Sequence, residues 1–164
     1  MRLGLISDSH DDKQSLKAAL RLLRKLGAER LIHCGDLTSA GTADLLKGWP
    51  LVYVEGNMDR EAERVRQTVL ALDPANSVGL SYEGEIGPAR IAVTHGHLQG
   101  EIDRLLGAET CDYLLLGHTH RRRDERIGRT RVINPGALGG LQFESRSFGV
   151  LDLQTGALEI FELD

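Results

Sequence analysis

Five short apolar runs in this chain each end in glycine or a small polar residue, followed by Asp, Asn or His. That repetition limits the folds open to it. The clearest case is Leu31-Ile32-His33-Cys34-Gly35-Asp36-Leu37. Its apolar residues read as a buried strand, and Gly35 lets the chain turn sharply at the strand's end. Asp36 is then presented at the C-terminal edge of a sheet, where open α/β proteins place their ligands. Leu3-Gly4-Leu5-Ile6 runs in the same way into Ser7-Asp8-Ser9-His10, and Leu51 to Val54 into Glu55-Gly56-Asn57. Ile91-Ala92-Val93 runs into Thr94-His95-Gly96-His97, and Tyr113 to Leu116 into Gly117-His118-Thr119-His120. Side chains of this kind brought to one edge point to a metal site centred on Asp36.

The segments between the runs predict how they are joined. Asp11 and Asp12 offer helix N-cap chemistry, and Leu16, Ala19, Leu20, Leu23 and Leu26 recur at helical spacing until Gly27 stops them. With the strands on either side they make a β-α-β unit, which is nearly always right-handed and pairs its strands in parallel. A shorter helix is expected over Thr42 to Lys47. Another is expected over Arg60 to Leu72, with Val65, Val69 and Leu72 as its apolar stripe, and a third over Leu98 to Leu106. Ser81 to Ile86 and Ala89 to Val93 flank Gly87-Pro88 and read as a hairpin. Arg131 to Asn134, Phe148 to Leu151 and Ala157 to Leu163 supply late strands. Parallel strands early and hairpins late suggest an α/β (α+β mixed) fold. Two mixed sheets pack face to face with helices outside, in a single domain over residues 1–164.

Composition narrows the function classes. The 164 residues are 41% hydrophobic and 27% charged, as in soluble globular proteins, and suffice for one full core. A net charge of −4 argues against a dedicated nucleic-acid partner, whose binder is usually basic. No apolar run approaches the roughly 20 residues that cross a membrane, and Met1-Arg2 leads into a strand rather than a signal peptide. Cys34 and Cys111 read as buried inert thiols in a reducing compartment, so the cytoplasm is the expected setting.

Asp8 and His10 are two residues apart, as are His118 and His120, a spacing that can aim both members of each pair at one point. With Asp36, Asn57 and His95 they make seven nitrogen and oxygen ligands without a cysteine. Mixed carboxylate, amide and imidazole donors suit Mn²⁺, Fe²⁺, Zn²⁺, Co²⁺ or Ni²⁺, with manganese taken first, and seven donors exceed what one ion needs. Two divalent metal ions use them naturally. One carboxylate bridges ions roughly 3.5–4 Å apart with a hydroxide between them, an arrangement that drives in-line phosphoryl displacement.

Asp8-Ser9-His10, Gly35-Asp36-Leu37, Gly56-Asn57, Thr94-His95-Gly96-His97 and Gly117-His118-Thr119-His120 resemble, in order, the five blocks of the calcineurin-like metallophosphoesterase superfamily. The short length and Asn134-Pro135-Gly136 are similar to its small YfcE-type phosphodiesterases. The resemblance spans Met1 to about Gly136. It implies a four-layer α-β-β-α sandwich and a binuclear metal-dependent phosphoric ester hydrolase. It further implies that Asp8, His10, Asp36 and His120 hold one metal, and Asp36, Asn57, His95 and His118 the other. The expected substrate is a small phosphodiester, or a phosphomonoester. A hydroxide would attack phosphorus directly, and Asn57 and the metals would stabilise charge on the phosphoryl oxygens.

One departure matters. Many members of the superfamily follow the asparagine with a histidine that can serve as general acid, and here Met58 follows Asn57. Small YfcE-type members also tend to lack that histidine. His97 is the expected substitute, contacting substrate or moving a proton. Arg121, first of the run Arg121-Arg122-Arg123, is a candidate for holding a phosphate, against the plainer reading of a solvated face. His33 reads as a core histidine. Asp59 either orients the Asn57 loop or caps the next helix. Leu138 to Phe143 could form a lip over the site or a homo-oligomer contact. Two other readings stay open: a nuclease, which would carry added DNA-binding elements, and a scaffold like the small retromer subunit of this fold, whose metal site is degraded.

Overall fold

The computed structural model describes every residue except Glu109, Gln142 and Asp164. One sheet has the strand order β11-β10-β1-β2-β3-β4, formed by Leu158–Glu162, Ser147–Asp152, Arg2–Ile6, Arg30–His33, Leu51–Val54 and Ser77–Gly79. The other has the order β5-β6-β7-β9-β8, formed by Ser81–Ile86, Ala89–Thr94, Tyr113–Leu115, Thr130–Asn134 and Arg123–Ile127. Strands β1 to β4 run parallel, as do β6, β7 and β9, while β5, β8, β10 and β11 pair antiparallel.

The period of two along each strand divides the core into layers. Leu3, Leu5, Ile32, Val52 and Val54 face Ile91, Val93, Leu115 and Ile133 between the sheets. The alternate residues Ile6, Leu31, Leu51 and Tyr53 pack on helices α1 (Lys13–Lys25) and α3 (Ala62–Leu72), through Leu16, Leu20, Leu23, Val65 and Val69. On the far side Ala92, Leu114 and Val132 meet Leu105 of α4 (Gln99–Gly107). The result is the α-β-β-α sandwich. Each fully buried leucine stabilises it by roughly 1.5–3 kcal/mol relative to exposure.

Asp12 caps α1 by accepting from the Ser15 amide at 2.9 Å, and Gly27 ends it with φ +75°. The helix expected over Thr42 to Lys47 is broken. Ala40–Ala43 makes one short α-helix (α2), and Asp44–Leu46 continues as a 3₁₀ turn. Neither Ser39 nor Ala43 caps its piece through its own side chain, and the one side chain that reaches the start of α2 is distant in sequence, Glu61 accepting from the Ala40 amide at 3.3 Å. The helix expected from Arg60 begins two residues later, at Ala62.

Candidate metal centre

Parallel pairing sends the C-terminal ends of β1, β2, β3, β6 and β7 to one edge of the sandwich, and the loops there are tied together through the backbone. The Asp8 amide donates to Gly35 O at 2.9 Å, His10 N to Asp36 O at 3.0 Å, and Gly117 N to His95 O at 3.0 Å. These loops hold every non-glycine residue of positive φ among the described residues: Asp8, His10, Asp11, Asp36, Thr38, His118 and His120. Five of the seven expected ligands therefore adopt a conformation that most side chains avoid. Asp and His are among the residue types that tolerate it best. Gly35 is irreplaceable for a further reason. Its φ is +101°, and a Cβ there would lie 2.4 Å from His95 Nδ1.

Six of the expected ligands converge. His120 Nε2 is 3.2 Å from Asp8 Oδ1, and His10 Nε2 is 3.8 Å from the same oxygen and 3.1 Å from His120 Nε2. His95 Nε2 lies 3.3 Å from Asp36 Oδ2, 3.1 Å from Asn57 Oδ1 and 4.0 Å from Asp8 Oδ1. Two groups have ligand atoms close enough to share an ion: Asp8, His10 and His120, and Asp8, Asp36 and His95. The His118 ring stands beside them, 5.1 Å from the His95 ring, while its backbone amide donates to Asp8 Oδ2 at 3.0 Å. His97 is farther out, its ring 5.4 Å from that of His95, with Nδ1 buried and lacking a hydrogen-bond partner. A cavity of about 230 Å³ lined by His10, Asp11, Thr38, Met58 and Arg60 opens next to the site.

Backbone carbonyls decide which ring nitrogens face inward. His95 Nδ1 is 2.7 Å from Cys34 O, and His120 Nδ1 is 2.6 Å from Leu141 O. A carbonyl can only accept, so each Nδ1 carries the proton, and a neutral ring offers a bare lone pair at Nε2. Those lone pairs point at carboxylate and amide oxygens. Asp8 Oδ1, fully buried, has no hydrogen-bond donor. A buried anionic oxygen surrounded by imidazole lone pairs is stable only if a cation sits among them. The residues therefore fit a divalent metal.

A proton can partly fill the same place. Burial opposes charge on His95, but its contact with Asp36 and the field of Asp8 outweigh that and raise its pKa. His120 is raised chiefly because its Nε2, once protonated, would donate to Asp8. His118 and His97 are lowered, by burial first and then by His95. Burial also acts against ionised Asp36, yet His95 and the Met58 amide, at 2.8 Å, hold its carboxyl below the usual range.

Side chains behind the ligands fix the loops. Asp59 Oδ1 accepts from Thr38 N at 2.7 Å, and its Oδ2 accepts from Gly56 N at 2.6 Å and from the Tyr53 hydroxyl. It thus joins the loop after Asp36 to the loop before Asn57, the orienting role among the two expected for it. His33 is fully buried and pairs with Ser9 Oγ at 2.7 Å, while its Nδ1 accepts from Gly35 N at 3.3 Å. The core histidine therefore also links the Asp8–His10 loop to the Asp36 loop. Ser7 donates to Asp8 Oδ2 and was not anticipated, nor were the carbonyls of Cys34 and Leu141. Adjacency to a ligand was the only signal that could have marked Ser7. Arg121 lies at the rim with its guanidinium 4.9 Å over the Phe143 ring, and the expected lip over Leu138 to Phe143 includes Gln142, which is outside the described residues.

Comparison with known proteins agrees with this geometry. Residues 1–156 match the family model of the calcineurin-like phosphoesterase superfamily domain. Phosphodiesterase MJ0936 of Methanocaldococcus jannaschii is 27% identical over 156 residues, covering 94% of both chains. Phosphodiesterase YfcE of Escherichia coli is 28% identical, covering 93% of this chain and 88% of its own. The solved structure of an archaeal phosphodiesterase superposes with a TM-score of 0.94 at 26% identity, covering 99% of this chain and 100% of its own. The family whose five motif blocks end the five strands is thus the right one: this chain belongs to the calcineurin-like phosphoesterase superfamily.

Proposed function

We propose that this protein is a phosphodiesterase that works with two divalent metal ions, manganese first among them. The observation that carries the reading is the pair of carbonyl-locked histidines, His95 and His120, whose Nε2 atoms face Asp36 and Asp8. Asp8, His10, Asp36 and His120 would hold one ion, and Asp36, Asn57, His95 and His118 the other. Asp36 Oδ2 is within reach of both positions, 3.6 Å from His10 Nε2 and 3.3 Å from His95 Nε2. Bound ions of this kind supply Lewis acidity, neutralising phosphoryl oxygens and bringing the ionisation of water toward neutral pH.

The side chains leave the nucleophile to water. Cys34 is fully buried and burial pushes its thiol well above the usual range, so it is no thiolate. The Ser7 hydroxyl is committed to Asp8 and Cys34 O, and Ser9 pairs with His33. Asn57, with Oδ1 turned to the centre, keeps its amide N–H groups for a phosphoryl oxygen. Arg121 would hold the substrate's charge, and His97 would contact the leaving alkoxide or pass it a proton. A small diester fits a net charge of −4 better than nucleic acid does. No helix among the described residues is long and apolar enough to cross a membrane. Both thiols are free and buried, which favours the cytoplasm as the setting.

The test is hydrolysis of bis(p-nitrophenyl) phosphate against p-nitrophenyl phosphate by metal-stripped protein, with Mn²⁺, Ni²⁺, Co²⁺, Zn²⁺ and Mg²⁺ returned singly. Turnover restored by metal, faster on the diester and lost in Asp36→Asn, is expected. Two bound ions without turnover on either ester would leave the scaffold reading in its place.

A further inference from the structure

The arginines that follow His120 are nearly all spoken for. Arg122 pairs with Glu144 and Glu162, Arg123 with Glu125, Arg129 with Asp112 and Arg131 with Asp124. Arg126 donates to the Arg129 carbonyl. Arg121 differs: among the described residues its guanidinium makes no ion pair, and its central carbon lies over a ring, 4.9 Å from the Phe143 centroid. That ring stays 53% exposed, and Leu141 beside it 69%.

The segment carrying Phe143 is tied to the metal centre at successive points. His120 Nδ1 donates to Leu141 O at 2.6 Å, Arg121 covers Phe143, and the Arg122 amide donates to Glu144 at 2.8 Å. The Phe143 ring is itself edge-on to the His120 ring at 6.3 Å. A planar cation and a planar apolar ring are thus held, half open to solvent, directly beside a candidate ligand. Guanidinium and phenyl planes both accept a further stacked ring. The Arg121 charge, which forms no ion pair among the described residues although its field reaches Glu144, matches the anionic phosphodiester that the centre would hold.

We infer that Arg121 and Phe143 form a stacking subsite for a planar aromatic group on the ester arm that is not expelled, so that the preferred substrates are nucleotide-type phosphodiesters. The inference rests on the diester reading above and goes beyond it by naming the substrate class.

The test uses two esters with the same leaving group, thymidine 5′-(p-nitrophenyl phosphate) and methyl p-nitrophenyl phosphate. Their kcat/KM ratio reads only the retained arm. The wild type should favour the thymidine ester by roughly tenfold, the scale of stacking one base on an aromatic side chain. Phe143→Ala should bring the ratio near one, and Phe143→Tyr should keep it. A ratio near one in the wild type, or one unchanged by Phe143→Ala, overturns the subsite. If sedimentation also shows a dimer that Phe143→Ala dissociates, with the ratio unmoved, the ring serves a second copy of the chain instead. Binding is read separately in Mg²⁺-loaded protein, from ring-current shifts of the Phe143 protons on adding thymidine 5′-methyl phosphate. Shifts without turnover of either ester support the subsite and reject the diester reading. Turnover without shifts does the reverse.

Discussion

His95 presents Nε2 to Asp36 Oδ2 at 3.3 Å while its Nδ1 is held 2.7 Å from the carbonyl of Cys34. The two partners flank Gly35, at the end of β2 in one sheet, and His95 ends β6 in the other. One imidazole therefore ties the tops of the two sheets together, and the inner ends of those contacts are acceptors that repel unless a cation joins them. Folding brings the donors together, and metal relieves the repulsion that folding creates. Binding and stability are accordingly linked.

Removing metal should therefore lower the melting temperature. At a metal concentration of about 100 times Kd the native state gains about 2.7 kcal/mol, and for a chain of this size that is roughly 5–10 °C. The check is thermal unfolding in chelator and after adding Mn²⁺. In Asp36→Asn, which discharges the carboxylate within reach of both positions, the gain should shrink to a degree or two, on the order of a hundredfold loss of affinity. An equal rise in wild type and variant would place the stabilising ion elsewhere.

Gly35→Ala should damage both stability and the site. Its φ of +101° is unfavourable for alanine, and the new methyl would sit 2.4 Å from His95 Nδ1 and 2.7 Å from Cγ. Strain plus displacement of a buried ring should cost about 3 kcal/mol or more, read from the urea midpoint. Metal affinity should fall with it, because the ring that must move is a donor. A variant that keeps the wild-type midpoint would mean the loop relaxes without disturbing His95.

Much of this was legible in the sequence. Strands β1, β2 and β3 are apolar on both faces, so they announce themselves as continuous runs, and the Asp, Asn and His that follow were readable as a site. What escaped had weak or no side-chain signal. Strand β8 is fully exposed along Arg123–Ile127 and reads only as a charge run; it forms because its backbone pairs with β9 at a sheet edge. Strand β4 is three half-buried residues at an edge of the other sheet. The carbonyls of Cys34 and Leu141, which select the histidine tautomers, belong to the backbone and leave no trace in residue type. Leu141 is 21 positions from His120. The left-handed conformations of Asp8, His10 and Asp36 follow from loop closure, which residue spacing does not encode.

Asp59→Asn should loosen the loops without touching a ligand. The carboxylate accepts from two backbone amides, Thr38 N and Gly56 N, one at each oxygen, and from Tyr53. An asparagine amide group must turn an NH₂ toward one of those donors, leaving it unsatisfied at a cost of about 1–3 kcal/mol. Metal affinity should drop about 10–100-fold, as happens when a group that orients ligands is lost. Tyr53→Phe, which removes one donor and strands none, should cost only about 1 kcal/mol. Isothermal titration with Mn²⁺ and urea unfolding separate the two effects; equal affinities in Asp59→Asn and wild type would reduce Asp59 to a fold-stabilising residue.

His97→Ala should slow poor leaving groups more than good ones. The ring flanks His95 at 5.4 Å with one nitrogen unpartnered, and Met58 after Asn57 cannot donate a proton. A positioned proton donor contributes typically 10²–10⁴-fold when the leaving alkoxide is basic and little when it is p-nitrophenolate. The measurement is a series of diesters with leaving groups of rising pKa, comparing the slopes of log kcat for both proteins. Parallel lines would remove His97 from proton transfer.

Acid should destabilise the protein partly through His33. The buried ring is held neutral: burial, the largest influence, lowers its pKa from 6.5 to about 4. Between those values the unfolded chain binds a proton that the folded chain refuses, so unfolding gains as pH falls. The stability that His33 confers by staying neutral is complete above pH 6.5 and is lost on going from 6.5 toward 4. A shift of this size is worth at most about 3 kcal/mol. His33→Gln keeps a donor for Ser9 Oγ and an acceptor for Gly35 N but cannot ionise, so its urea midpoint should fall less steeply over that window. Measuring both proteins in chelator from pH 7.5 to 4.5 cancels the histidines of the metal centre, of which His95 and His120 are raised and His118 lowered, because they are common to both. If the two curves run parallel, another group carries the acid sensitivity and the Ser9–His33–Gly35 link is structural only.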